Sequence, residues 1–210
     1  LANGLTYYVR DNDNPGGSVS MRLAIDAGSA VQDPDQVGVA HFLEHLAFRG
    51  TTLYPDGQVQ AVLEGIGLQM AADVNASTGP DTTTFILDLP RNDPNSIDTG
   101  LKVMRQLVSD MLIEPDKVDA ERGVVLAEER SRAGPALEAS KAFLELQLGS
   151  HPYARSPIGL RNVIETVTPK TIRGFYDAFY RPERATLVIV GDVRPEAVIP
   201  NLTLHFADWR

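Results

Sequence analysis

Gly38-Val-Ala-His41-Phe-Leu-Glu44-His45-Leu-Ala-Phe48 is the stretch around which the rest of the chain can be ordered. Apolar residues recur at helical spacing from Val37 to Phe48, and Gly50 follows as a stop signal. Each residue of a helix advances about 100°. Taking His41 as zero, Glu44 falls at about 300° and His45 at about 40°, so the three side chains share an arc of about 100°. Phe42 and Leu43 point elsewhere and are free to pack. Two imidazoles one turn apart can clamp a divalent ion, leaving coordination positions for a third ligand and a water. The carboxylate beside them can take a proton from that water. A lone histidine on an apolar helix is usually a core residue, but the triple is another matter. With 4 His in 210 residues, His-x-x-Glu-His arises by composition about 0.004 times per chain.

On the N-terminal side, Leu5-Thr-Tyr-Tyr-Val-Arg10 is rich in β-formers and ends at the turn cluster Asp11–Gly17. Val19, Met21, Leu23 and Ile25 then alternate with polar or small residues, which predicts a half-buried strand forming a hairpin with the first. On the C-terminal side, a second helix is expected from Pro55 or Gly57 to about Glu64. Leu68–Ser77 and Thr82–Leu89 read as paired strands across the turn Thr78–Asp81. Ser96–Leu112 reads as an amphipathic helix. Pro115 opens a longer one to about Leu148, which Gly134-Pro135 should kink or divide because proline removes a donor and clashes with the preceding turn. Pro169–Tyr180 is expected to be a helix capped by Thr168, and Ala185–Val190 a buried strand stopped by Gly191. No linker or repeat divides the chain, so the reading is a single α+β domain, residues 1–210, with a mostly antiparallel sheet and helices packed against it.

A hydrolytic metal site needs a third ligand. His151, before Pro152, and His205 read as surface residues, so a carboxylate is the natural candidate. Glu121-Arg-Gly-Val-Val-Leu-Ala-Glu128-Glu129 supplies several. Glu121 and Glu128 are two turns apart on one helix face, and Glu129 is rotated away by about 100° and expected to be solvated. Val124 and Val125 suggest that this helix is substantially buried.

Composition excludes other classes. The hydrophobic fraction of 43% with 22% charged residues fits a folded, soluble chain, and no apolar run is long enough for a membrane span. The balance of 19 basic to 28 acidic residues gives −9, which argues against nucleic acid as a partner. The lack of cysteine removes disulfides, thiolate metal sites and cysteine nucleophiles. The opening on Leu1, without a basic and apolar leader, reads as a processed or truncated product. These features favour a bacterial periplasmic or secreted setting only slightly, and the compartment stays open.

The inverted motif His-x-x-Glu-His is that of the inverzincins, and His41-Phe-Leu-Glu-His-Leu-Ala-Phe-Arg-Gly-Thr51 resembles the pitrilysin/insulinase family of zinc metallopeptidases. The likeness extends to Leu1-Ala-Asn-Gly-Leu5, Ala72-Asp-Val-Asn-Ala76, Glu121–Glu128, His151-Pro-Tyr153, Pro157-Ile-Gly159, Tyr180-Arg-Pro182 and Val188-Ile-Val-Gly-Asp192. It implies a metallohydrolase fold similar to that of the mitochondrial processing peptidase. It also implies His41 and His45 as ligands of one Zn2+ and Glu44 as the base acting on the metal-bound water. Glu128 would be the third ligand, as the last residue of the Glu-Arg-x-Val-x-x-x-Glu pattern, and Glu121 a carboxylate that helps position the site. The bare interval from His45 suits Glu121 better than Glu128. The local pattern selects Glu128, with an insertion around Leu89–Pro94 lengthening the interval.

The implied reaction is hydrolysis of peptide bonds in short or unfolded polypeptides, with no covalent enzyme intermediate. Residues 72–77 read as an accessible edge strand to which an extended peptide could add, and the resemblance makes Asn75 and Ala76 substrate contacts. The family's working enzymes resemble clamshells of several such domains in one chain or two. Homologous C-terminal domains or a partner subunit are therefore the expected companions. The competing reading is a non-catalytic homologue serving as a scaffold or substrate-binding subunit. Such members typically lack motif residues that this chain retains.

Overall fold

In the computed structural model, which describes residues 1–210, five strands form one sheet: β1 (Thr6–Asp11), β2 (Val19–Ile25), β3 (Val74–Thr78), β4 (Thr83–Leu89) and β5 (Ala185–Gly191). Their order is β1-β5-β2-β4-β3. β2, β4 and β5 bury every second residue, the period expected of strands with one face on a core. The other face is half-exposed and carries the Arg22–Asp88 ion pair. All pairings are antiparallel except β1 with β5.

The expected hairpin between β1 and β2 does not form. β5 lies between them, parallel to β1 and antiparallel to β2. The reason is in the residues: Ala-Thr-Leu-Val-Ile-Val-Gly is apolar enough to occupy an interior position, whereas β1 is mostly exposed and suits an edge. The third strand is also shorter than read. Leu68–Asp73 closes into a turn in which the Asp73 carboxylate accepts from the Gln69 N–H at 2.8 Å, and only Val74–Thr78 pairs with β4.

Eight helices accompany the sheet: α1 (Val39–Ala47), α2 (Gln58–Gly65), α3 (Pro94–Ser109), α4 (Pro115–Arg132), α5 (Pro135–Leu148), α6 (Arg161–Thr166), α7 (Pro169–Phe179) and α8 (Pro195–Phe206). The long helix divides at Gly134-Pro135 as its sequence predicts. Thr168 caps α7 by accepting from the Thr171 N–H. A single cluster of 45 buried apolar residues joins sheet and helices. Phe42, Leu43 and Leu46 anchor α1 in it, so that the opposite side of that helix faces α4 and β3.

Candidate metal centre

α1 begins at Gly38, which has no side chain to cap it and takes φ +114°, a conformation glycine adopts without strain. Buried Gln32 supplies the cap instead: its Oε1 accepts from the N–H groups of Gly38 at 3.1 Å and Ala40 at 2.9 Å. Gly159 packs so closely that a Cβ there would lie 2.4 Å from the Gly38 Cα. The start of the histidine helix is thus held from two sides.

From this helix the Nε2 atoms of His41 and His45 converge on Oε2 of Glu128, from α4, at 3.5 and 3.1 Å. The three donor atoms lie within 4.8 Å of one another. A tetrahedral ion with bonds of about 2.1 Å separates its donors by roughly 3.4 Å, so two imidazoles and a carboxylate at this spacing fit a zinc-type ion. Glu121 stands behind the ligands, its side chain only 2% exposed, with Oε1 2.8 Å from His45 Nδ1 and Oε2 paired to Arg49. In that contact Nδ1–H is the donor and Nε2 is the ring nitrogen turned toward Glu128, the usual way a carboxylate orients an imidazole for ligation. His41 Nδ1 is buried without a partner.

The charges follow from these surroundings. Burial, reinforced by the neighbouring His45, lowers the pKa of His41 to about 4, so its ring is neutral. For His45 burial acts in the same direction, but the hydrogen bond to Glu121 and the charges of Glu121, Glu128 and Glu44 outweigh it and raise the value. Burial would raise Glu121, yet the hydrogen bonds from His45 and Arg49 hold it below the ordinary range. Glu44 shifts the other way: burial raises it, against a hydrogen bond donated by the Thr78 hydroxyl. A carboxylate biased toward its protonated form beside a metal-type cluster is an arrangement suited to proton transfer.

The cavity beside the cluster, about 400 Å³, is lined by Glu44, His45, Phe48, Met70, Asn75 and Ala76, among others. Of the sequence-predicted site residues, Glu44, His45, Asn75, Ala76 and Glu121 line it, while His41 and Glu128 group with His45 beside it. β3 is an edge strand, so its outer backbone groups are unpaired within the sheet. Val125 is buried as expected, but Val124 is 42% exposed and lines the cavity. Glu129 is rotated away from the cluster, yet it pairs with Arg161 rather than standing free in solvent. His151 is exposed, while His205 is partly buried and bonds Asp98 at 2.7 Å. Thr78, Arg49 and Arg132 escaped sequence reasoning. Thr78 lies two residues beyond Ala76 on the same strand, and strand alternation would have placed the two together.

An inverted His-x-x-Glu-His helix, completed by a glutamate from a second helix on a helix-backed sheet, defines a metallopeptidase-type domain. Residues 7–151 match the family described as insulinase, peptidase family M16, and residues 166–210 match the peptidase M16 inactive domain. The chain belongs to the M16 peptidase family. It is 38% identical over 204 residues to the protein named "Probable zinc protease PqqL" of Haemophilus influenzae, covering 96% of this chain and 22% of that protein. The crystal structure of the first half of the periplasmic protease PqqL from Escherichia coli superposes with a TM-score of 0.94 at 31% identity, over 100% of this chain and 45% of that one. A ferredoxin protease, solved in complex with Arabidopsis ferredoxin, gives the same TM-score at 26% identity, over 100% of this chain and 23% of that one. The chain thus spans about a fifth of the length of the Haemophilus protein (22%).

Proposed function

We propose that this chain is the metal-carrying domain of a zinc-dependent endopeptidase acting on short or unfolded polypeptides. The observation that carries the reading is the convergence of His41, His45 and Glu128 on one point with Glu44 alongside. Zinc bound there would polarise the scissile carbonyl and acidify a water. Glu44, held by Thr78, accepts the proton of the attacking water and returns it to the departing amine. Glu121 keeps the His45 ring oriented. The unpaired edge of β3 supports addition of an extended substrate by backbone hydrogen bonds, with Asn75 and Ala76 beside the cavity. In the complete protein, homologous domains or a partner subunit close over this face.

A scaffold reading draws on the inactive-domain match, but residues 166–210 contribute none of the site residues. Elemental analysis tests the two readings. Wild type should carry about one zinc. Glu128→Gln should lose it, whereas Glu44→Gln should keep it and lose hydrolysis. A wild-type chain that takes up no supplied zinc overturns the proposal.

A further inference from the structure

Three carboxylates crowd the centre, and each has two oxygens that could turn toward an ion. Two arginines settle which ones do. Arg132, one turn beyond Glu128 on α4, pairs with Glu128 Oε1, and Oε2 is the oxygen left facing the histidines. Arg49, four residues beyond His45 and just past the end of α1, pairs with Glu121 Oε2, leaving Oε1 for His45 Nδ1. Each arginine therefore comes from the end of a helix that carries a ligand, and each holds the far oxygen of a carboxylate. Neither has another ion-pair partner. The two arginines are 48% and 60% exposed, so their ion pairs contribute little to stability, and their effect is to fix which carboxylate oxygen stays free. Glu121 is almost wholly buried, and Oε1 of Glu128 belongs to the ligand itself.

We propose that Arg49 and Arg132 are positioning residues that divide the carboxylate oxygens of this site: Arg132 restricts Glu128 to one-oxygen ligation, and Arg49 keeps Glu121 hydrogen-bonded to His45 rather than turned in as a ligand. The inference rests on the zinc reading above. One-oxygen ligation leaves the remainder of the coordination sphere open, as a hydrolytic site requires. A carboxylate free to chelate with both oxygens would occupy part of it. The tether on Glu121 also gives a physical reason why two glutamates on one helix face play different parts.

The test uses the whole 210-residue chain, stripped of metal and titrated with Zn2+ against a chromophoric chelator, and separately with Co2+ read by visible absorption. Arg49→Met and Arg132→Met should each weaken zinc binding by about tenfold or more, the range seen when a residue supporting a ligand is removed. Arg49→Lys and Arg132→Lys, which still offer an N–H donor, should recover most of that loss. The Co2+ band of Arg132→Met should lose intensity as the ion moves to higher coordination. In a Glu121→Gln background Arg49→Met should have no further effect, because Arg49 acts through that carboxylate. The same double variant removes the buried charge and so keeps the test open should Arg49→Met alone fail to fold.

Affinities of both Met variants within about twofold of wild type, with an unchanged Co2+ spectrum, would overturn the inference while leaving the zinc reading standing. Loss at one position only overturns the assignment of the other. A wild-type chain that binds neither ion overturns the zinc reading and this inference with it.

Discussion

Glu44 carries the proton transfer in the proposed reaction, and a single hydroxyl, that of Thr78, holds its carboxylate. Replacing Thr78 by Val keeps the β-branched shape and deletes the donor. Zinc content should stay at wild-type level while kcat on an unfolded peptide falls about tenfold or more, since the base loses its orientation. Equal loss of zinc and kcat would mean that Thr78 supports the fold rather than the base. His41, Glu44 and His45 were legible because one helix turn fixes their mutual positions, whatever the rest of the chain does. Glu128 came from the resemblance, through its place at the end of the local pattern Glu121–Glu128, because the interval along the chain from His45 does not single it out. Thr78 was not legible, because it reads as the first residue of the turn after the strand, whereas it ends β3 and only the packing of β3 beside α1 gives it a partner. Arg49 and Arg132 were not legible either, because only the fold brings each beside its carboxylate.

Elements reach the site through their ends. The N-terminus of α1 depends on Gln32, which is 3% exposed and also donates from Nε2 to the Ser29 carbonyl at 3.1 Å. Gln32→Leu leaves two helix N–H groups buried and unpaired, so urea unfolding should show a loss of about 1–3 kcal/mol, together with weaker zinc binding as His41 shifts. A variant with wild-type stability would mean that water replaces the cap. Between β2 and β4, Asp88 accepts from Arg22 at 2.8 and 3.0 Å and from Ser20 at 2.7 Å. Burial would raise its carboxyl, but these bonds outweigh it and hold the value below 3.8. A depressed carboxyl stabilises the fold above its unfolded pKa and loses that contribution as pH falls through the folded value. Asp88→Asn should therefore cost on the order of 1 kcal/mol or less at pH 7, both partners being partly exposed. The gap to wild type should narrow below 3.8 and close once the folded carboxyl protonates. A gap independent of pH would assign the cost to shape. Alternation revealed β2, a turn cluster marked β4, Gly191 marked the end of β5, and glycine with proline revealed the break between α4 and α5. α6 is too short for a periodic signal, and α8 carries Pro200 in its interior, which argues against a helix by local rules; burial of Val198, Leu202 and Phe206 overrides it. The order of strands was hidden, because β5 reaches the sheet from the far end of the chain.

At the scale of the molecule, that return of β5 brings the two ends of the chain together. The Asn3 side chain donates to the carbonyls of Phe206 at 2.8 Å and Trp209 at 3.0 Å, closing the domain over its core. The site, by contrast, stays on one side. Its cavity opens beside an edge strand, and His45 and Glu128 keep 21% and 25% of their side chains in contact with solvent. In the proposed reading, metal binding needs only the donors His41, His45 and Glu128 and the residues that support them. Fast hydrolysis needs more: the peptide must be held along β3 in a reactive pose and water excluded around it, which takes several kcal/mol off the barrier. The relatives of this chain are longer, the chain spanning 22% of the Haemophilus protein. The two properties should therefore separate in this chain. Purified alone, it should take up about one zinc yet cleave a quenched unfolded peptide far more slowly than a full-length relative assayed beside it, and the deficit should lie in both KM and kcat. Full activity from this chain by itself would show that the face over the metal needs no covering, and would move substrate binding entirely onto β3 and the cavity beside it.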